Sequence, residues 1–168
     1  MSAYLYQAPN GVPGDITRVD ESNVEPAMLI AQTDVFAQAF GIPMKYVTGG
    51  IAQFTGSEAA TAFAGVLVRE VPGISGSLDQ GLTDNVPYAK VPQGLCVRGY
   101  VSVVCAVGTP ARGGVVYIQV TANGGIAVGA FRADGTDSGN AVALTATQAE
   151  WATDGVDADK NAELRIYR

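Results

Sequence analysis

The chain has 168 residues, a mass of 17.3 kDa, a formal net charge of −6 and a sequence pI of about 4.4. It contains no histidine and only two cysteines, so the usual proton carrier near neutral pH and the commonest metal ligand are both missing. Hydrophobic residues make up 48% of the chain and charged residues 15%, which excludes a wholly disordered protein, and the length suits one domain. This composition favours a protein that provides a binding surface rather than a reaction.

Charge and hydropathy also exclude some partners. Binding to nucleic acid or to an anionic membrane needs clustered lysine and arginine, whereas the ten basic residues of this acidic chain are scattered. The N-terminus lacks a basic region followed by an apolar stretch, which argues against a signal peptide. A membrane span would need about 20 consecutive apolar residues, and no such run occurs. We expect cytoplasmic synthesis and no nucleic-acid or membrane partner.

Residues 1–26 have the pattern of an extended N-terminal arm. Turn-forming and helix-breaking residues are frequent in this segment, Pro26 blocks a helix, and residues 18–25 are polar without an apolar period. Tyr4 and Tyr6 are exposed hydrophobic side chains unless something covers them. Two alternatives stay open: a terminus that is free or packed on its own domain, and an arm that lies over a neighbouring subunit.

Residues 27–168 have the pattern of a single β domain. Residues 44–54 predict a hairpin that turns at Thr48-Gly49-Gly50, and residues 62–69 predict the next strand. Residues 73–94 are rich in glycine, proline and polar side chains with little periodicity. Because loops of this length are usually functional or mobile, we predict a long loop here that provides part of a contact surface.

Residues 95–105 form the clearest predicted strand, because apolar and polar side chains alternate along it. The odd positions are compatible with burial, and the even positions are mostly polar. An odd separation on a regular strand places Cys96 and Cys105 on opposite faces, far beyond the reach of a disulfide. We therefore predict two free thiols, with Cys105 in the core.

Short strands separated by glycine-rich turns continue to the C-terminus. This pattern predicts an all-β fold, a small antiparallel barrel or sandwich of the jelly-roll or β-tulip-like kind, with the N-terminal arm attached. The later predicted strands cover residues 115–121, 126–131, 142–144 and 163–166, and in the last of them apolar Leu164 and Ile166 alternate with Glu163 and Arg165.

Catalytic motifs are absent from the sequence. A Ser-His-Asp triad is impossible without histidine, the three lysines lie outside any Ser-x-x-Lys motif, and the glycines form no nucleotide-binding motif. Two of the sixteen acidic residues could meet as a catalytic pair, but these residues concentrate in turn-like segments. We predict that the protein is not an enzyme and has no cofactor.

Two acidic segments have part of the spacing of a calcium loop. Asp157-x-Asp159-x-Asn161 places oxygen ligands at alternate positions, but Ala162 stands where an EF-hand loop needs glycine. Asp134-x-Thr136-x-Ser138-Gly139 contains the glycine but reaches Thr145 where a glutamate is needed. We interpret both as turns and predict no metal site.

Four groups of residues, in order along the chain, carry a family resemblance. They are Pro9-Asn-Gly-Val-Pro-Gly-Asp-Ile-Thr-Arg18 with Val24-Glu-Pro26, Gly65-Val-Leu-Val-Arg69, Arg98-Gly-Tyr100, and Gly108-Thr-Pro-Ala-Arg-Gly-Gly-Val-Val-Tyr117. Together they resemble a family of structural cement proteins that decorate the heads of tailed bacteriophages. The resemblance spans most of the chain, with a gap over residues 73–94.

The resemblance implies a β-rich homo-oligomer, a dimer or trimer, that binds the major capsid protein of a tailed phage where shell subunits meet. We accordingly expect the protein in the virion, on the outer face of the capsid, after synthesis in the cytoplasm of the bacterial host. An acidic chain suits that face because it avoids the packaged DNA. The alternative function is a virion tail-fibre or carbohydrate-binding module, present in few copies.

The predicted arm and the loop at 73–94 are the candidate capsid-contact surfaces. We expect deletion of residues 2–18 to leave a folded core and to weaken binding to heads. The candidate contact residues within the arm are Tyr4, Tyr6, Pro9, Val12 and Arg18.

Overall fold

The computed structural model describes residues 11–31, 37, 39–69, 87, 90–137 and 139–168. Within these residues the protein is all-β, as predicted, with two 3-10 turns at Val19–Glu21 and Ala60–Ala62. The strands form a large mixed sheet that is not closed into a barrel, which is compatible with the predicted sandwich. The strands are β1 (Asn23–Met28), β2 (Pro43–Val47), β3 (Gly50–Gln53), β4 (Phe63–Leu67), β5 (Pro92–Val107), β6 (Tyr117–Gln119), β7 (Phe131–Arg132), β8 (Ala141–Ala143), β9 (Ala149–Trp151) and β10 (Asn161–Ile166).

The sixteen-residue strand β5 organises the sheet. The N-terminal chain runs antiparallel along it, first through a bridge between Ile16 and Val101 and then through β1. The opposite edge of β5 pairs with β4 near its start and with β10 beyond Gly99. Its C-terminal end pairs in parallel with β7, so the sheet is not purely antiparallel. Both ends of the domain are therefore fastened to one strand.

Gly99 changes the direction of the side chains halfway along β5. Its φ is +116°, and the register with β1 shifts at this level. Cys96 before it and Cys105 after it consequently pack in the same large core, whereas Leu95 and Val97 pack in a second, smaller one. The prediction of opposite faces for the two cysteines is wrong, because β5 is not a regular strand. Both thiols are free, as predicted, and Cys105 is in the core, as predicted; Cys96, which alternation placed on the mostly polar face, is buried as well.

Several predicted elements are confirmed, with shorter bounds in places. The hairpin at residues 44–54 is β2 and β3, joined at Thr48-Gly49. The predicted strand at 126–131 shrinks to β7, because Ile126 closes a tight turn by a bridge with Asn123 and a second turn follows at Val128-Gly129. In the last strand, β10, Glu163 is buried where alternation predicted an exposed face.

The N-terminal segment that the structure describes lies against its own domain. Between residues 11 and 26, Gly14 donates to Ser102 and Thr17 donates to Tyr100 through backbone hydrogen bonds of 2.8 and 3.2 Å. Residues 1–10 lie outside the described residues. The same is true of most of the predicted loop, although its last residues, from Pro92, begin β5.

No helix among the described residues is long and apolar enough to cross a membrane.

Candidate functional site

The five candidate contact residues fall into two groups. Tyr4, Tyr6 and Pro9 lie outside the described residues. Val12 is 46% exposed, and its backbone N–H donates to the Asp15 carboxylate at 3.1 Å. Val12 therefore presents an apolar side chain to solvent on a turn held by Asp15.

Arg18, the fifth candidate, holds the N-terminal segment to the rest of its own domain. Its guanidinium donates to Glu163 through Nη2–Oε2 (2.9 Å) and Nε–Oε1 (3.3 Å), and it lies 4.0 Å from the centre of the Tyr100 ring. The Thr17 hydroxyl also donates to Glu163. The hydrogen bond to Glu163 raises the pKa of Arg18. We call Thr17, Arg18, Tyr100 and Glu163 the arginine clamp.

A second arginine continues the clamp across the sheet. Arg165 stacks on Tyr100 and Tyr167 at 5.3 and 4.6 Å from the ring centres, and its Nη1 lies 3.7 Å from Glu150 Oε1. The Tyr167 hydroxyl donates to Glu150, and this hydrogen bond raises the pKa of Tyr167. Sequence reasoning missed Tyr100, Tyr167 and Glu163, because nothing local shows that the N-terminal segment covers this face.

Between the clamp and β1 the chain loops outward. The 3-10 turn Val19–Glu21, which we call the ridge, lies opposite Gly99. The Ser22 hydroxyl fixes its base by accepting from the Tyr100 N–H (3.1 Å) and donating to the Arg18 carbonyl (2.7 Å). A Cβ on Gly99 would stand 2.3 Å from Ser22 Oγ. The absence of a side chain at Gly99 thus allows the ridge to form, and Val19 on it is 75% exposed.

Strand β1 is exposed along almost its whole length. Val24 and Met28 are 40% and 38% exposed. Just beyond Met28, the backbone N–H of Leu29 donates to Val91, on the side of β5. The N–H of the next residue, Ile30, donates to Ile51, on the side away from β5. Even-numbered residues of β1 therefore direct their backbone groups away from β5. Pro26 is one of them, so its missing N–H costs no hydrogen bond and blocks the addition of another strand there.

The two acidic segments interpreted as turns, around Asp134 and around Asp157, form hydrogen bonds within the chain. The buried Arg132 donates to Asp134 (2.6 Å), Asp137 (3.1 Å) and Gln119 (2.6 Å). Side-chain hydrogen bonds from Asn140 and Asn123, with smaller contributions from Gln119 and Arg132, lower the pKa of Asp137 to about 2.

The second acidic segment, which begins at Asp157, forms a turn that its own hydrogen bonds hold closed. The Asp157 carboxylate accepts from the backbone N–H groups of Asp159 and Asn161 at 2.9 and 2.8 Å. In the part of the chain that the structure describes, no three acidic or thiol side chains group as metal ligands would. The acidic side chains of both segments are therefore bonded within the chain, as expected for turns.

Comparisons with known proteins agree on one class. A family model described as XM1 gp53 minor capsid protein matches residues 1–166. A chain in the solved capsid of Myoviridae phage XM1 has the same fold, with a TM-score of 0.69 and 16% sequence identity over 99% of this chain and 96% of that chain. Among curated proteins, none matches the sequence.

These findings define the class of the protein, which is a structural protein of the bacteriophage capsid. The resemblance to a tailed-phage capsid-associated family is thereby confirmed. More narrowly, the chain belongs to the XM1 gp53 minor capsid protein family, because the family model covers nearly its whole length.

Proposed function

We propose that this protein is a capsid cement protein that binds the outer surface of a phage head where shell subunits meet and stabilises the shell. The observation that carries the proposal is the match to a minor capsid protein family over residues 1–166. The partner is the major capsid protein, and the protein acts without catalysis or a cofactor.

Mass action explains how such a protein stabilises a head. A protein that binds only the assembled shell lowers the free energy of that state relative to free subunits. Many copies on one lattice, each touching more than one subunit, give strong overall binding from modest individual contacts. An exposed strand such as β1 and an exposed ridge suit such contacts because they are already ordered, which reduces the entropic cost of binding.

The outer face is the side that the charge favours. The chain carries a net charge of −6, and DNA packed inside the head repels acidic surfaces. We also propose a dimer or trimer at the local symmetry axes, as the resemblance to cement proteins implies.

The contact residues proposed at the N-terminus are best tested by deleting residues 2–10. Tyr4, Tyr6 and Pro9 lie in this segment, and its removal leaves the arginine clamp complete. Deleting residues 2–18, by contrast, removes Gly14, Thr17 and Arg18, which hold the domain together. The shorter deletion should keep the melting temperature and weaken binding to heads. Unchanged occupancy on heads would contradict the role of these three residues.

Quantitative mass spectrometry of gradient-purified particles tests the function itself. We expect copies of this chain in a simple ratio to the major capsid protein, near one, or one or two thirds of it. Mild removal of the protein from intact heads should then lower the temperature at which they release DNA. A handful of copies per particle would contradict the proposal and favour the alternative, a tail-fibre or carbohydrate-binding module.

A further inference from the structure

We infer that the ridge and the two cavities beside it form the surface that docks onto the shell, and that the docked segment carries a large apolar side chain next to a lysine or arginine. The inference rests on the proposed function, since it names the contact surface of a capsid-bound protein. The two cavities share Ser22 in their walls and lie on either side of the ridge.

The first cavity is an apolar groove of about 480 Å³. Val19 of the ridge lines one wall, Val24 and Pro26 of β1 line another, and Val68 lies across from them. Val19 and Val24 are among the most exposed large hydrophobic side chains of the described residues, at 75% and 40%. Removal of such surface from water is the main favourable term in protein association, so the groove provides the anchoring contact.

The second cavity is a polar pocket of about 410 Å³. Asp20 and Glu21 of the ridge line it, and neither forms an ion pair with another described residue. Arg98 and Arg165 lie on the far walls, and Arg165 is already opposite Glu150. The pocket therefore has more unpaired carboxylates than unpaired guanidinium groups, and a basic side chain complements it.

The arrangement matches the known anatomy of protein interfaces. Partner-binding surfaces have an apolar centre and a polar rim, and they are enriched in tyrosine and arginine. Here the apolar groove adjoins a polar pocket that Tyr100 and Tyr167 line. A partner engaging this face covers the groove, the ridge and the pocket together.

Pro26 also determines how the partner binds. Because its ring nitrogen faces the free edge of β1, a segment of the shell cannot extend the sheet through a regular ladder at this position. The docked segment therefore makes side-chain contacts across the groove. This distinguishes the proposed surface from strand addition.

The test uses heads stripped of this protein and purified full-length chains. Val19→Glu places a charge in the groove, and Val104→Glu is its control, because Val104 is a 39% exposed valine that lines neither cavity. We expect Val19→Glu to weaken binding to heads about tenfold or more, as the loss of a central apolar contact does, while Val104→Glu binds like the wild type. Both variants should keep the wild-type melting temperature.

A charge reversal tests the basic side chain of the partner. Asp20→Lys is compared with Asp159→Lys, which makes the same change at an exposed position beyond β9. We expect Asp20→Lys to weaken binding roughly two- to fivefold and to reduce its dependence on salt. Equal effects of the two reversals would overturn the charge assignment.

The outcomes separate this inference from the proposed function. If wild-type protein fails to bind heads, the cement function fails. If wild-type protein binds and Val19→Glu binds equally well, the cement function stands and the docking surface is refuted. If Val19→Glu instead lowers the melting temperature of the free protein, the groove is filled by the chain itself, and the docking surface is again refuted. Loss of dimers or trimers by Val19→Glu in free solution would assign the surface to a second copy rather than to the shell.

Discussion

Strands β1 and β10 both have six residues and both pair antiparallel with β5, yet their surroundings differ. In β10 five of the six residues are buried, whereas in β1 five of the six are exposed. Strand β10 also pairs with β9 and contributes to the large core, while β1 has no second strand partner among the described residues. Backbone pairing, with the packing of Ala27 against the smaller core, therefore holds β1 in place and leaves its other side chains available to a partner.

The largest expected loss of stability comes from shortening a side chain in β10, and the matching change in β1 should cost much less. Leu164→Ala in β10 removes a fully buried side chain and should reduce the free energy of unfolding by about 2–5 kcal/mol. Met28→Ala in β1, at a side chain 38% exposed, should cost less than about 1 kcal/mol. Denaturant unfolding of both variants measures the difference. Similar losses for the two would show that β1 is as buried in solution as β10.

Gly99→Ala should give the next largest effect, because it breaks the junction between the two halves of β5. The new Cβ collides with Ser22, and φ is +116° there, so we expect a loss of roughly 2–3 kcal/mol. Gly113→Ala is the control: φ is +74°, and no atom lies within 4 Å of the added Cβ. Thermal unfolding of both variants measures the two losses, and the amount by which the loss for Gly99→Ala exceeds that for Gly113→Ala is due to the collision with Ser22. Equal losses would mean that backbone strain alone matters and that the ridge moves freely.

The arginine clamp should contribute less to the free energy of unfolding than Gly99 does. Arg18→Ala leaves the buried Glu163 carboxylate without its cation and should reduce the free energy of unfolding by about 1–2 kcal/mol. Arg112→Ala, at an exposed arginine without an ion pair among the described residues, should have almost no effect. Hydrogen exchange should also become faster at the Thr17 amide. Unchanged exchange would show that the backbone pairing holds this segment without the clamp.

The smallest expected change in stability comes from Glu58, which lies outside both strands and whose contribution depends on pH. Burial would raise the pKa of Glu58, but donors on Lys45, Thr55 and Gly56 outweigh it and lower the pKa to about 2. This stabilisation is present above the unfolded pKa near 4.5 and is lost as the pH falls towards 2.

Glu58→Gln should therefore lose about 1 kcal/mol at pH 7 and little at pH 2. Urea unfolding of the wild type and the variant at the two pH values measures this difference in the free energy of unfolding. The wild type should retain a further acid dependence through Asp137. Because Glu58 contacts neither β1 nor β10, the variant should bind heads normally. Weaker binding would mean that general stability, rather than the β1 face, governs occupancy.

The part of the fold that could be predicted from sequence is the part governed by local patterns. The hairpin at Thr48-Gly49-Gly50 and the burial of the odd positions of β5 follow from turn residues and alternation. The switch at Gly99 could not be predicted, because a glycine within a strand pattern is equally compatible with a regular residue and with a bulge. Alternation also predicted a mostly polar even face, yet Cys96, Tyr100 and Ser102 are buried, because the N-terminal segment pairs along β5 and Cys96 packs in the large core.

The candidate site was less predictable than the fold. Arg18 was predicted as a capsid contact, whereas its contact with Glu163, 145 residues away, has no local signal in the sequence. Pro26 was recognised only as a helix breaker, and its position on the free edge became visible once the register with β5 was known. The ridge could not be predicted as a contact surface either. Its Val19 stands among polar neighbours in the sequence, and an isolated exposed valine is ordinary on any protein surface.

The pairing of β1 with β5 also has a consequence for the order of synthesis. Residues 14–28 are made before their partner strand, which follows only after the whole β2–β4 region. At about 5–20 residues per second, the N-terminal segment waits for several seconds before it can be placed, and such distant pairing slows folding. The ridge and β1 therefore reach their final form only after β5 has been made, and the arginine clamp closes only after Glu163 has been added, so a chain that still lacks β5 cannot compete for positions on the shell.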